Sequence, residues 1–162
     1  TAFAPDAVVT RAEMVTFLWR MADQPTGHPP HGFPDVRPGV YYDQAVAWAR
    51  ATGITTGVGG TGTFRPDLPV SRAELVTFLW RFVGAPTGYL PDRFVDTATG
   101  AFYDSSVRWA AFHGVTTGVG GSATFAPTGP VSRGESVTFL RRAAADPAAW
   151  DQGALVPSTV VF

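Results

Sequence analysis

The chain has 162 residues, 45% of them hydrophobic and 15% charged, which supplies enough apolar surface for a buried core and too little charge for disorder. Its formal net charge is −1 and no basic stretch is longer than Arg141–Arg142, so it offers no positive face to displace counterions from a nucleic acid. The absence of cysteine excludes disulfides, thiolate metal ligands and cysteine nucleophiles, and no apolar run reaches the ~20 residues of a membrane span, so no membrane insertion is expected.

In chain order, Phe3-Ala4-Pro5 leads to Thr10-Arg11-Ala12-Glu13, which reads as a capping box. The hydroxyl satisfies an orphan amide while the Glu reaches back to the cap, predicting a helix over residues 10–21. Residues 24–32 are a Pro/Gly linker. Phe33-Pro34-Asp35-Val36 and Tyr42-Asp43 open a shorter predicted helix at 42–52, with Gly53 placed for a left-handed C-terminal cap. The loop Thr55-Thr56-Gly57-Val58-Gly59-Gly60 is too glycine-rich for an element interior.

From there the pattern returns every 61 positions. Phe64-Arg65-Pro66 and Phe125-Ala126-Pro127 repeat the first motif, and Ser71 with Glu74 and Ser132 with Glu135 repeat the capping box. Each box is followed by Val-Thr-Phe-Leu, predicting helices at 71–83 and 132–144 that are apolar almost all round and therefore belong inside a bundle. The short helix recurs at 103–113, with Gly114 after it, Asp96 in the place of Asp35, Trp109 in the place of Trp48 and Gly118 in the place of Gly57. Glu13, Glu74 and Glu135 are the chain's three glutamates, and each is expected to be a structural cap.

The expected division is residues 1–27 as the second half of a first repeat, 28–88 as a second, 89–145 as a third, and 146–162 as a tail or linker. Within that tail, residues 155–162 read as either a strand or a trailing segment. The chain opens on Thr1 with no signal-peptide pattern, as a mature or trimmed piece of a longer protein would.

The order Phe-x-Asp-Val, Tyr-Tyr-Asp, Ala-Val-x-Trp-Ala, Gly-Ile-Thr-Thr-Gly, Gly-Thr-Phe-x-Pro, Ser-Arg-Ala-Glu and Phe-Leu-Trp-Arg resembles the S-layer homology (SLH) repeat, over roughly residues 1–145. The resemblance implies an all-α fold of repeated helix-loop-helix units, forming a pseudo-threefold central helical bundle with prongs. It implies a non-catalytic cell-surface anchor that binds an anionic secondary cell-wall polysaccharide, often pyruvylated, in grooves between repeats. It also implies a secreted bacterial host protein at the cell envelope or S-layer, and no cofactor. The ligand-binding positions it implies are Arg11, Arg72 and Arg133; Asp35 and Asp96; Trp48 and Trp109; and Gly57 and Gly118. Two departures fall on the third unit: Gly134 stands where Ala is usual, and Arg141 replaces the Trp of positions 19 and 80.

The Arg after each cap occupies a helix N-terminus, where the dipole disfavours a cation by ~0.3–1 kcal/mol. Two compensations are open: a structural pair with Asp35 or Asp96, or an anionic ligand group. On the ligand reading, Arg72→Ala weakens binding without unfolding the domain. Trp48 and Trp109 are either core or sugar-stacking faces, and Trp19 and Trp80 read as core. The Gly-rich loop is not a phosphate loop, since no Lys-Ser/Thr follows it. His28-x-x-His31 lies among prolines and lacks a third metal ligand. His113 is placed to cap carbonyls at a helix end. No nucleophile arrangement is recognisable, so catalysis is not expected. The alternative function is a protein-protein docking or spacer module in a larger secreted or cell-surface assembly, with other chains covering apolar surface such as Phe17 or Trp19.

Overall fold

The computed structural model describes residues 4–146; Phe3 and the tail from 147 onward lie outside the described residues. The described residues contain five α-helices and one short 3-10 turn, and no strand. The helices are α1 (Arg11–Met21), α2 (Asp43–Ala51), α3 (Arg72–Phe82), α4 (Asp104–Phe112) and α5 (Arg133–Ala145), with the 3-10 turn at Val119–Gly121. The all-α expectation holds, and helix boundaries fall within two residues of those expected.

Local chemistry explains each long helix. Thr10, Ser71 and Ser132 accept from the amides of Glu13, Glu74 and Glu135, and each Glu carboxylate accepts from the cap residue's own amide. Each box contributes ~0.5–2 kcal/mol. The short helices have no side-chain cap of this kind. Instead Asp43 accepts from Gly39 N–H at 2.7 Å and Asp104 accepts from Gly100 N–H at 2.8 Å, placing a carboxylate in each first turn. Gly53 (φ +78°) and Gly114 (φ +65°) follow their last turns in the left-handed conformation.

The chain divides into two compact units. One is Thr10–Pro69, in which α1 packs on α2. The other joins residues 4–9 to 70–146, with α3 packed on both α4 and α5. Each unit thus packs a long helix on the short helix that follows it, and the second unit adds α5. Eight residues of α3 are buried, as an interior helix requires. Trp48 and Trp109 are 2% and 0% exposed and belong to the core.

In the second unit, Val9, Val70 and Val131 form a closed ring. Val70 N–H donates to Val9 O at 2.9 Å, Val9 N–H to Val131 O at 2.9 Å, and Val131 N–H to Val70 O at 3.1 Å. All three are fully buried and stand at equivalent positions just ahead of the three capping boxes. The ring gives the segments entering the long helices a threefold order, and every amide it buries is satisfied.

Candidate functional site

The starts of α1 and α3 each lie against a Phe-x-Pro turn, and the start of α5 lies against Pro5 to Ala7. Arg11 N–H donates to Leu68 O and Ala12 N–H to Pro66 O; Arg72 N–H donates to Gly129 O and Ala73 N–H to Pro127 O. At α5, Arg133 N–H donates to Ala7 O and Gly134 N–H to Pro5 O. These bonds satisfy amides that a helix start leaves without intrahelical partners.

The signature arginines complete the same turns. Arg11 Nε donates to Phe64 O at 2.8 Å and Arg72 Nε to Phe125 O at 2.6 Å, with each guanidinium over the ring of the Phe it binds. Asp35 grips the other side of the first turn, accepting from Phe64 N–H and Arg65 N–H; Asp96 accepts from Phe125 N–H and Ala126 N–H. Both turns need the help. Arg65 and Ala126 are non-glycine residues in the left-handed region (φ +56° each), each directly before a proline.

Arg11 and Arg72 have an engagement beyond the two compensations considered for them. Their Nε groups satisfy a Phe carbonyl that an Asp secures from the amide side, so Arg and Asp cooperate across a turn rather than pair directly. Arg72 also reaches Glu135 Oε1 through Nη1 at 3.2 Å. Burial pulls the Arg72 pKa below its ordinary value, while the charges of Glu135 and Asp96 oppose that pull. Glu135 thus caps α5 through one oxygen and holds Arg72 through the other.

Around Arg72 lies a groove of about 350 Å³. The α5 side contributes Glu135, Thr138, Phe139 and Arg142, and the loop after α4 contributes Thr116 and Gly118 to Gly120. Pro5 and Asp6 also line it. Gly118 is required by shape: its φ is +87°, and a Cβ there would come within 2.1 Å of Ser122 O. Gly57 occupies the equivalent position with φ +94°, packed against Thr63 O and the Phe33 ring. Arg142 is exposed, and no hydrogen bond or ion pair holds it among the described residues.

Of the positions expected to bind ligand, the groove therefore gathers Arg72 and Gly118. Asp96 stands behind it, holding the turn. Arg133 is half-buried and outside the lining. The buried Trp48 and Trp109 have no open face for a sugar, which corrects the stacking reading. Trp19 and Trp80 are half-buried, each donating its indole N–H to a linker carbonyl, Pro25 O and Pro86 O. His113 meets Asp146 at 2.7 Å and Tyr89 at 3.0 Å instead of capping carbonyls, and His31 lies against Asp43 and the amide of Phe33. Arg142 was missed, although Arg20, Arg81 and Arg142 recur at the repeat spacing. Exposed aromatics were missed too: Tyr41 and Phe102, each 63% exposed, occupy equivalent positions just ahead of α2 and α4.

A model of the S-layer homology domain matches residues 32–76 and 93–135, just over half of the chain. The chain belongs to the S-layer homology domain family. SLH domains are non-catalytic cell-wall anchoring modules that bind secondary cell-wall polymers, and they occur in cell-surface or S-layer associated proteins. The two matched spans run from just before Phe33 and Phe94 to the capping boxes at Ser71 and Ser132, so each takes in a short helix and the turn that follows it. No curated protein matches the chain. No helix among the described residues is long and apolar enough to cross a membrane.

Proposed function

We propose that this SLH chain is a non-catalytic anchor that holds an anionic cell-wall polysaccharide in the groove between α5 and the loop after α4. The supporting observation is the groove's polar lining around one uncommitted cation, Arg142. Hydroxyls of Thr116 and Thr138 and the backbone of Gly118 to Gly120 suit sugar hydroxyls, while Arg142 suits a carboxylate.

The charge count favours a weak anion. Two arginines face Asp6 and Glu135, so the lining is balanced, and a doubly charged phosphate would meet two carboxylates. A single carboxylate, such as a pyruvyl ketal carries, needs only Arg142. Among the described residues, Tyr41, Phe102 and Phe112 expose aromatic faces that suit sugar rings.

The experiment is a pull-down with isolated secondary cell-wall polysaccharide, before and after mild acid removal of ketal-linked carboxylates. Wild type binds the untreated polymer, and Arg142→Ala lowers the bound fraction several-fold with unchanged thermal unfolding. Equal binding by Arg142→Ala would remove the groove from the reading. Equal binding of treated polymer would remove the carboxylate.

A further inference from the structure

α2 and α4 are equivalent helices, and comparing them separates what folding needs from what it does not. Both carry a first-turn Asp that accepts from a glycine amide, and both follow a Pro-Thr-Gly stretch, Pro25-Thr26-Gly27 and Pro86-Thr87-Gly88. A Trp fixes each stretch alike, Trp19 donating to Pro25 O and Trp80 to Pro86 O. The helices diverge along one face. Where α2 has Ala47 and Ala51, α4 has Arg108 and Phe112, one and two turns beyond Asp104. α2 forms without either larger side chain, so the helix itself requires neither.

Asp104 and Arg108 line a cavity of about 240 Å³, together with Ser105 and with Thr87, Gly88 and Tyr89 of the linker after α3. The pair is locked as a fork. Arg108 Nε donates to Asp104 Oδ1 at 2.6 Å and Nη2 to Oδ2 at 3.1 Å, while Gly100 N–H also donates to Oδ2. Asp104 thus takes two of the five N–H groups of the guanidinium, and among the described residues no other hydrogen bond holds the rest. The Tyr89 hydroxyl meets His113 Nε2 at 3.0 Å, so what Tyr89 offers the cavity is its ring. Phe112 is 71% exposed and lies 5.1 Å from that ring, continuing the aromatic surface.

We propose that Asp104, Arg108, Tyr89 and Phe112 form a second polysaccharide site, one that takes an uncharged stretch of the polymer. The lining holds one cation and one anion bound to each other, so it favours no charged group. Spare guanidinium donors beside a carboxylate suit a vicinal diol, one hydroxyl accepting from Arg108 and its neighbour donating to Asp104. The two rings suit the C–H faces of a pyranose. From Asp104 to Phe112 the helix rises about 12 Å, longer than one sugar ring, so the contact is with a chain rather than a free sugar. The site shares no lining residue with the Arg142 groove, and it rests on the anchoring reading only for the source of the polymer.

The experiment titrates 15N-labelled protein with secondary cell-wall polysaccharide after mild acid has removed its ketal-linked carboxylates. The amides of Thr87, Ser105 and Arg108 should shift, and Arg108→Ala should weaken binding of this treated polymer about tenfold. Phe112→Ala should weaken it too. Both variants copy α2 and should unfold within ~2 °C of wild type. Arg142→Ala should leave these shifts unchanged. If Arg142→Ala binds untreated polymer normally while Arg108→Ala does not, this site stands and the groove falls. Loss through Arg142→Ala with Arg108→Ala unaffected overturns this site and leaves the groove. No shift at the three amides overturns it as well, and equal shifts from free methyl glycosides at matched sugar concentration overturn a polymer as its ligand.

Discussion

Arg72 and Phe125, 53 residues apart, are joined twice: Nε donates to the Phe carbonyl at 2.6 Å, and the guanidinium lies 5.3 Å from the centre of the Phe ring. Arg11 and Phe64 repeat both contacts at the same separation. A residue with the look of a ligand contact is thereby a fastener between a helix start and a distant turn.

Arg72→Ala should therefore cost stability before it affects any ligand. It strands a buried carbonyl and releases Glu135, a loss of about 3 kcal/mol. Arg72→Lys should recover little, because a single ammonium cannot serve Phe125 O and Glu135 with the geometry of a planar fork. Urea unfolding checks both. A Lys variant as stable as wild type would contradict this role.

The left-handed turn residue is a reservoir of strain. Ala126→Gly removes the Cβ penalty at φ +56° and should raise stability by up to about 1 kcal/mol, less the added freedom of the unfolded chain. Thermal unfolding of this single variant suffices. A clear loss would mean that the Ala126 methyl packs more tightly than its partial exposure implies.

The two loop glycines of the groove should respond differently. Gly118→Ala drives a methyl into Ser122 O and also holds a non-glycine residue at positive φ, so a loss of about 3 kcal/mol or local refolding of the loop is expected. Gly120→Ala meets nothing within 4 Å and costs about 1 kcal/mol from its φ of +58° alone. Comparing their urea midpoints isolates the clash from the backbone strain.

Acid should loosen the Asp35 turn. Burial pushes this carboxyl's pKa up, but the amides of Phe64 and Arg65 and the charge of Arg65 outweigh it and hold the group below its ordinary value. A depressed folded pKa gives stability that is fully present above the unfolded value of ~3.9 and is lost as pH falls through the folded one. Asp35→Asn should be less stable at pH 7 and show a shallower decline between pH 5 and 2.5. Parallel curves for mutant and wild type would dissociate Asp35 from the acid response.

The helices were legible because their signals are local. A capping hydroxyl and its Glu lie three residues apart, and Gly53 and Gly114 mark their helix ends by conformation alone. The site was less legible because its contacts are not local. Nothing in Ser-Arg-Ala-Glu says that the Arg reaches a carbonyl 53 residues on, or that Asp96 serves the same Phe from the amide side. Trp48 and Trp109 were ambiguous for a related reason: the alternation of apolar and small residues in a nine-residue helix does not say which faces are covered. Only the packing of α1 on α2 and α3 on α4 does. Arg142 was within reach of the sequence, since its recurrence is as regular as that of the capping boxes.

The valine ring has a consequence for how the chain is made. Val9 leaves the ribosome before either of its partners, since the donor and the acceptor it requires lie in Val70 and Val131, with the third capping box following directly after Val131. Until Val131 emerges, residues 4–9 have no complete set of partners, and α3 must wait with part of its interior wet. Closure of the ring thus waits for Val131, and a chain stopped before that residue should be a target for proteases rather than a smaller stable fold.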